Sequence, residues 1–104
     1  AQPGSVYNIG TGQEYTNIDL TNLVLQKMNL GQEMIEPVKD RAGHDRRYAV
    51  DHTKITRELG WEPTVKFEDG ILETINWYRD NEWWWKDIKT GTYRDYYQAQ
   101  YKDR

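Results

Sequence analysis

Residues 39–51, which read KDRAGHDRRYAVD, constrain the fold more than any other part of the sequence. These thirteen residues contain three arginines, a lysine, a histidine and three aspartates, in a chain whose formal net charge is -3. Charged side chains are seldom buried without partners, so the segment is expected to form a surface loop. Residues 48–50 are predicted to form a short strand and Asp51 to cap the next helix, and these elements hold the loop in place.

The arginines of this loop provide donors for an anion-binding site. Arg41, Arg46 and Arg47 each carry a planar, permanently charged guanidinium that matches the oxygens of phosphate and carboxylate groups. The functional interpretation is a pocket for a phosphate or diphosphate. The alternative is a solvated loop in which the arginines pair with Asp40 and Asp45.

The composition indicates a single globular domain over residues 1–104. A chain of 104 residues buries roughly 60–70% of the surface that it exposes when unfolded, which allows a modest core. Charged residues make up 30% of the sequence, but aromatic residues make up 13%, and disordered chains are poor in aromatic rings.

Composition also argues against several classes of function. The chain has no cysteine, which excludes thiolate metal sites and is compatible with a reducing cytosol, and His44 and His52 have no third ligand nearby. No apolar run approaches the ~20 residues that span a bilayer, and residues 1–5 lack the features of a signal peptide. Basic residues form one loop rather than a face. We therefore expect a cytoplasmic protein without a metal, a membrane role or a nucleic-acid partner.

Three amphipathic helices are predicted from the spacing of apolar residues. The first begins at Thr16 or Asn17 and ends at Gly31, and the Asn17 amide either caps this helix or binds a ligand. The second covers residues 51–60 and stops at a glycine with left-handed backbone, and the third covers residues 68–80. The predicted inner faces are Leu20, Leu23, Val24 and Met28 in the first helix, Ile55 and Leu59 in the second, and Ile71, Ile75 and Tyr78 in the third.

Short strands are predicted between these helices, at residues 5–9, 34–38 and 48–50, where β-branched and aromatic residues are concentrated. The glycines at Gly10 and Gly12 indicate a turn rather than a phosphate-binding loop, since no third glycine follows at the required spacing. The predicted fold class is therefore α+β, mostly helical with a few short strands.

Aromatic residues dominate the last quarter of the chain, where nine of the fourteen lie between Trp77 and Tyr101. Three consecutive tryptophans, at 83–85, point ~100° apart on a helix, so at least one is expected at the surface. Packing in a core and domain interface, or stacking on a nucleobase or sugar, would each account for these rings. A turn at residues 90–92 then leads to tyrosines with helical spacing.

The chain resembles the C-terminal portion of dTDP-glucose 4,6-dehydratases, members of the extended short-chain dehydrogenase/reductase superfamily. The resemblance runs from about Val6 to Tyr101 through the strings VYNIGTGQEYTN, DRAGHDRRYAVD and TKITRELGWEPTVKFEDGILETINWYRDNEWW. The ELGWEP string occurs widely in the superfamily, whereas the arginine string is similar to this family in particular. Ala42 stands where the family pattern usually has proline, which is expected to loosen the loop.

This resemblance implies the substrate-binding portion of a lyase that converts dTDP-glucose to dTDP-4-keto-6-deoxyglucose for deoxysugar biosynthesis. It implies that NAD and the catalytic residues belong to an N-terminal Rossmann domain, whose glycine-rich turn and Tyr-x-x-x-Lys pair are not found in this sequence. These 104 residues are expected to bind no NAD and to be inactive alone. The rival hypotheses are the same portion of another nucleotide-sugar epimerase or decarboxylase, and a binding module without catalysis.

The resemblance implies five substrate-contacting residues, at positions that match the family pattern: Asn17, Asp40, Arg41, His44 and Tyr93. Arg46 and Arg47 also match the family string, but they are expected to hold the loop through aspartate pairs.

The expected partners are dTDP-glucose and the N-terminal Rossmann domain of the same enzyme. Without that domain, residues 6–9 and some of the tryptophans at 83–85 would expose apolar surface, which costs about 25 cal/mol per Å². The isolated chain is therefore expected to self-associate or to be only marginally stable.

Overall fold

Helices form the regular structure of the described part of this chain. The computed structural model describes residues 1–101, apart from the side chains of Thr92 and Tyr93. The elements are α1 (Asn17–Lys27), a 3-10 turn (Gln32–Met34), α2 (Thr53–Leu59), α3 (Phe67–Asp80), α4 (Glu82–Thr90) and α5 (Thr92–Tyr101). Helix α1 packs against α3, α3 against α4, and α4 against α5.

The predicted strands are wrong, because no residue between 1 and 101 lies in a β-strand. A strand requires a neighbouring backbone with which it exchanges hydrogen bonds, and a pattern of β-branched residues does not specify that neighbour. Residues 5–9 and 48–50 approach each other at Gly10, where a Cβ atom would lie 3.1 Å from the carbonyl oxygen of Val50. They nevertheless exchange no backbone hydrogen bond. The α+β class is therefore corrected to an all-helical one for the described residues.

The start of α1 resolves the choice between two predicted caps. Thr16 is the N-cap, and its hydroxyl accepts a hydrogen bond from the backbone N–H of Asp19 at 3.2 Å. Asn17 is the first helical residue, so its amide is not the cap. The helix stops earlier than the predicted Gly31, because Asn29 takes the left-handed backbone with φ 56°.

The end of α2 agrees with the prediction, but its predicted cap is wrong. The N-cap is His52 rather than Asp51, because the helix begins at Thr53, one residue later than expected. The Asp51 carboxylate still accepts a hydrogen bond from the backbone N–H of Thr53 at 2.9 Å, from the residue before the cap. Gly60 has φ 69° and ends the helix. Trp61 folds back on the start of α2, where its ring meets His52 edge-on with centroids 5.8 Å apart.

The segment before α1 is attached to α2 by contacts that span about half of the chain. The Lys54 ammonium donates to the carbonyl oxygen of Val6 at 2.9 Å and lies 4.8 Å from the centre of the Tyr7 ring. The Tyr7 hydroxyl in turn donates to the Glu58 carboxylate at 3.3 Å. Polar contacts therefore hold this segment in place, although it has no regular secondary structure.

The core is small, and each of the first three α-helices contributes one buried apolar residue to it. These residues are Leu25, Ile55 and Ile75. Ile55 and Ile75 were predicted core residues, whereas the predicted stripe of α1 is only half-buried and omitted Leu25. No helix among the described residues is long and apolar enough to cross a membrane.

The chain exposes far more surface than a compact domain of its size. Its accessible surface is 9353 Å², whereas a compact protein of 12.4 kDa exposes about 6,100 Å². The radius of gyration is 17.7 Å, against about 13 Å for a compact domain of ~100 residues. The helices therefore form an open arrangement with broad exposed faces.

Apolar side chains occupy part of that exposed surface. Val6, Ile9 and Trp83 are 75%, 68% and 70% exposed, and Trp84 is also exposed. Trp85 is half-buried, and its indole N–H donates to the Tyr78 carbonyl at 2.8 Å. The prediction that at least one of the three consecutive tryptophans lies at the surface is confirmed.

Two glycine-to-alanine substitutions test the backbone assignments. Gly60→Ala is expected to lower the free energy of unfolding by about 1 kcal/mol, because alanine is strained in left-handed backbone. Gly70→Ala is the matched control, since Gly70 lies inside α3 and a Cβ there meets only a Val65 methyl at 3.6 Å. The control is expected to stabilise the chain by roughly 0.5–1 kcal/mol. Urea denaturation followed by circular dichroism measures both, and equal effects at the two positions would contradict the assignment.

Candidate functional site

A cleft of about 660 Å³ lies between the arginine loop and the turn that precedes α1. Its volume is in the range of small-molecule sites. We call it the arginine cleft; residues 14–17 form one wall and residues 44–48 the other. Its lining residues are Glu14, Tyr15, Thr16, Asn17, His44, Asp45, Arg46, Arg47 and Tyr48.

An ion pair between Arg47 and Glu14 joins the two walls of the arginine cleft. The Arg47 Nε and Nη2 atoms donate to the two carboxylate oxygens of Glu14, with an Nη2–Oε2 distance of 2.5 Å. The residues are 33 positions apart in the sequence. Such a two-pronged contact fixes orientation as well as distance, because the planar guanidinium and carboxylate must align. The pair therefore sets the geometry of the arginine cleft.

The same pair shifts the ionisation of both partners. Hydrogen bonding from Arg47, aided by its charge, lowers the pKa of the Glu14 carboxyl. Hydrogen bonding to Glu14 raises the pKa of Arg47. Both side chains are substantially exposed, so solvent screens the pair and its main contribution is orientation rather than stability.

Asp40 positions His44 within the loop. The Asp40 Oδ1 atom lies 2.6 Å from His44 Nδ1 and also accepts the backbone N–H of Arg41 at 2.9 Å. The His44 side chain is only 28% exposed. Because Nδ1 is engaged by the carboxylate, Nε2 is the ring nitrogen left for a ligand.

Asp45 contacts a tyrosine rather than an arginine. The Tyr48 hydroxyl donates to the Asp45 carboxylate, and this hydrogen bond raises the pKa of Tyr48 while the charge of Arg41 opposes the shift. The predicted pairing of Arg46 and Arg47 with aspartates is therefore wrong. Arg47 does hold the loop, but its partner is Glu14.

The other two arginines of the loop, Arg41 and Arg46, differ from Arg47. In the part of the chain that the structure describes, neither Arg41 nor Arg46 forms a side-chain hydrogen bond or an ion pair with another residue. Arg46 lines the arginine cleft, and Arg41 lies beside Asp40 at the start of the loop. A permanently charged, unpaired guanidinium in a cleft is suited to an anionic ligand.

The N-terminus of α1 adds a second anion-suited feature to the same cleft. Thr16 and Asn17 line it, and the first N–H groups of a helix have no partner within the helix. The Thr16 hydroxyl satisfies only the N–H of Asp19. The helix start therefore offers N–H donors and a partial positive charge to the cleft.

The structure brings some of the predicted contact residues together and not others. Asn17 and His44 line the arginine cleft, and Asp40 contacts it through His44. Arg41 is adjacent to Asp40 but does not line the cleft. The side chain of Tyr93, on α5, lies outside the described part of the structure.

Several lining residues were missed because their proximity depends on a contact between distant segments. Glu14 and Tyr15 precede α1 without any local motif, and only the Arg47 pair places them in the cleft. Arg46 was assigned a structural role from the loop composition. Within residues 1–101, no group of three His, Asp or Glu side chains is arranged to hold a metal ion.

Comparison with known proteins shows the family to which the chain belongs. The family model for GDP-mannose 4,6 dehydratase matches residues 1–74, and the chain belongs to this family. The match covers the arginine cleft and ends inside α3.

Individual relatives are more specific about the kind of dehydratase. The chain is 52% identical over 88 residues to a dTDP-glucose 4,6-dehydratase of Streptomyces antibioticus, covering 85% of this chain and 26% of the relative. A Shigella flexneri dTDP-glucose 4,6-dehydratase is 44% identical over 108 residues, covering 97% of this chain and 30% of the relative. The predicted resemblance to dTDP-glucose 4,6-dehydratases is confirmed.

A solved structure supports the same relationship. The crystal structure of dTDP-glucose 4,6-dehydratase from Bacillus anthracis, in complex with NAD, superposes with a TM-score of 0.71 at 43% identity. The superposed region covers 80% of this chain and 26% of the Bacillus anthracis chain. The chain thus spans about a quarter to a third of the length of the relatives that it matches.

Removing the Arg47 side chain is expected to change the titration of Glu14. In Arg47→Gln, the Glu14 pKa rises toward its ordinary value, because the hydrogen bonds and the charge that lower it are lost. Arg46→Gln is the matched control and leaves the Glu14 pKa unchanged. A pH titration of the Glu14 side-chain carboxyl by NMR measures both.

The stability of the chain follows the same titration. Because folding lowers the Glu14 pKa, the pair stabilises the fold above the pKa of the unfolded chain, and this stabilisation is lost as pH falls through the lowered folded value. In Arg47→Gln, the free energy of unfolding is expected to lose the part of its pH dependence that comes from Glu14. An unchanged Glu14 pKa in this variant would show that the ion pair does not form in solution.

Proposed function

We propose that this chain is the substrate-binding portion of a dTDP-glucose 4,6-dehydratase, the enzyme that converts dTDP-glucose to dTDP-4-keto-6-deoxyglucose. The observation that carries the proposal is the arginine cleft, which is lined by Arg46 and by the start of α1, in a chain 41–52% identical to such enzymes. The cleft is suited to the diphosphate of the sugar nucleotide. A cytoplasmic location is proposed with it, in keeping with the absence of cysteine.

The diphosphate is proposed to lie between the Arg46 guanidinium and the N-terminus of α1. Asn17 donates through its amide, since Thr16 already caps the helix. His44 donates through Nε2 in the ring orientation that Asp40 imposes. Arg41 and Tyr93 are proposed as further substrate contacts on the family resemblance. These groups bind and orient the substrate, and none of them is assigned a step of the chemistry.

The residues of this chain do not fit NAD. Dinucleotide sites usually place a glycine-rich turn directly between a strand and a helix. Here the turn at Gly10 and Gly12 follows irregular chain, and irregular residues separate it from α1. We infer that NAD is bound by an N-terminal Rossmann domain of the whole enzyme, that residues 1–104 form its C-terminal portion, and that they are inactive alone.

A GDP-sugar is the second candidate substrate, because the matching family model describes a GDP-mannose dehydratase. The identity to several dTDP-glucose enzymes favours the dTDP-sugar. Binding of dTDP-glucose and GDP-mannose to the full-length enzyme, compared by calorimetry, distinguishes the two. Tighter binding of GDP-mannose would overturn the proposed substrate and leave the family assignment intact.

Charge-conserving substitutions test the anion contacts in the full-length enzyme. Arg46→Lys and Arg41→Lys are each expected to weaken dTDP-glucose binding by about 1–3 kcal/mol, because lysine keeps the charge but loses the planar fork. Arg57→Lys is the matched control, since Arg57 lies on α2 outside the cleft. Calorimetric titration measures the three dissociation constants. Unchanged affinity in Arg46→Lys or Arg41→Lys would assign that arginine a structural role.

Self-association of the isolated 104-residue chain is also proposed, through the apolar side chains that it exposes. Burying a few hundred Å² of apolar surface stabilises by several kcal/mol at about 25 cal/mol per Å². Sedimentation equilibrium is expected to show dimers or larger species, and the melting temperature is expected to rise with concentration. Trp83→Ser weakens the association, whereas Glu73→Ser, at an exposed polar position, does not. A monomer with a high, concentration-independent melting temperature would contradict this proposal.

A further inference from the structure

A second pocket lies between residues 11–13, the start of α2 and the segment before α3. Its volume is about 360 Å³, at the lower end of the range of small-molecule sites. We call it the histidine pocket. Its polar lining residues are Thr11, Gln13, His52, Thr64 and Lys66, and its described lining does not overlap with that of the arginine cleft.

The lining of the histidine pocket is positively charged in a chain whose formal net charge is -3. Lys66 contributes an ammonium group, and none of the described residues that line the pocket carries a carboxyl group. The carboxylate of Asp51, which precedes His52, accepts hydrogen bonds from the backbone N–H and the hydroxyl of Thr53. The lining therefore favours an anion over a cation.

A chain of hydrogen bonds determines which nitrogen of His52 carries a hydrogen. The Thr56 hydroxyl donates its single hydrogen to the Trp61 carbonyl oxygen at 2.7 Å. At the 3.0 Å contact with His52 Nδ1, the Thr56 oxygen is therefore the acceptor and Nδ1 is the donor. In the neutral ring, Nε2 is then an acceptor that remains for a ligand.

We propose that the histidine pocket binds inorganic phosphate in its hydrogen-bearing form. Lys66 supplies the opposite charge, and the hydroxyls of Thr11 and Thr64 donate to the phosphate oxygens. The Thr11 hydroxyl oxygen accepts the backbone N–H of Gln13 at 3.2 Å, which leaves its hydrogen for a ligand. His52 Nε2 accepts the phosphate hydrogen. Carboxylate and sulfate match the charge of the pocket but have no hydrogen to donate to His52.

The histidine pocket adjoins the arginine cleft along the chain on two sides. Thr11 and Gln13 precede Glu14, and His52 follows the loop that contains Arg47. A phosphate in the histidine pocket therefore contacts both segments that the ion pair between Arg47 and Glu14 joins. It connects the two walls of the arginine cleft at a second point. The inference is independent of the proposed function, because it uses no residue of the arginine cleft.

The test titrates inorganic phosphate and sulfate into the full-length enzyme at constant ionic strength and about pH 8, where imidazole rings are mostly neutral. The backbone amide NMR signals of Thr11 and Thr64 report on the histidine pocket, and those of Thr16 and Asn17 report on the arginine cleft. Phosphate is expected to shift the Thr11 and Thr64 signals to saturation. It is expected to bind about tenfold more tightly than sulfate, which leaves His52 Nε2 without a partner.

Lys66→Gln is expected to weaken phosphate binding at the Thr11 and Thr64 signals about tenfold, because the charge-assisted contact is lost. Lys89→Gln is the matched control, since Lys89 is exposed on α4 and lines neither site. Phosphate affinity is expected to remain at the wild-type value in this control.

The comparison of two anions on the wild-type enzyme keeps the inference falsifiable even if Lys66→Gln fails to fold. Equal affinity for phosphate and sulfate at the Thr11 and Thr64 signals would overturn it. Equal phosphate affinity in wild type and Lys66→Gln would also overturn it. Shifts confined to Thr16 and Asn17, or no saturable shift at all, would show that phosphate does not occupy the histidine pocket.

Discussion

The ion pair between Arg47 and Glu14 is the constraint on which the candidate site depends. It joins a loop to a turn 33 positions away in the sequence, and neither segment belongs to a helix or a strand. Buried apolar contacts do not perform this task, because the buried residues lie on α1, α2 and α3. An exposed pair of this kind contributes little to stability and much to orientation. The ion pair therefore sets the geometry of the site, whereas the buried apolar contacts stabilise the fold.

The sequence predicted the helices well, because their signals are local. Spacing and capping chemistry placed α2 between Asp51 and Gly60, and placed α3 to within one residue of its start. The strands could not be predicted correctly, because a strand is defined by the backbone that pairs with it. The end of α1 was misplaced for a related reason, since an asparagine took the backbone conformation that was expected of a glycine.

The candidate site was only partly predictable. Its charged loop stands out in the composition, and Asn17 and His44 were identified through family resemblance. The positions of Glu14, Tyr15 and Arg46 in the lining of the cleft depend on how distant segments meet, and residue types alone do not contain that information. The same limit explains why the predicted partners of the loop arginines were wrong. Aspartates are close in the sequence, but the partner of Arg47 in the structure is Glu14.

The first turn of α1 divides two tasks between adjacent residues. Thr16 caps the helix and thereby contributes to its stability, whereas the Asn17 side chain is not needed for capping. A substitution at position 16 therefore removes the side-chain acceptor that the first turn uses, whereas a substitution at position 17 leaves that acceptor in place. Of two neighbouring residues in one turn, only the first is constrained by the need to begin the helix.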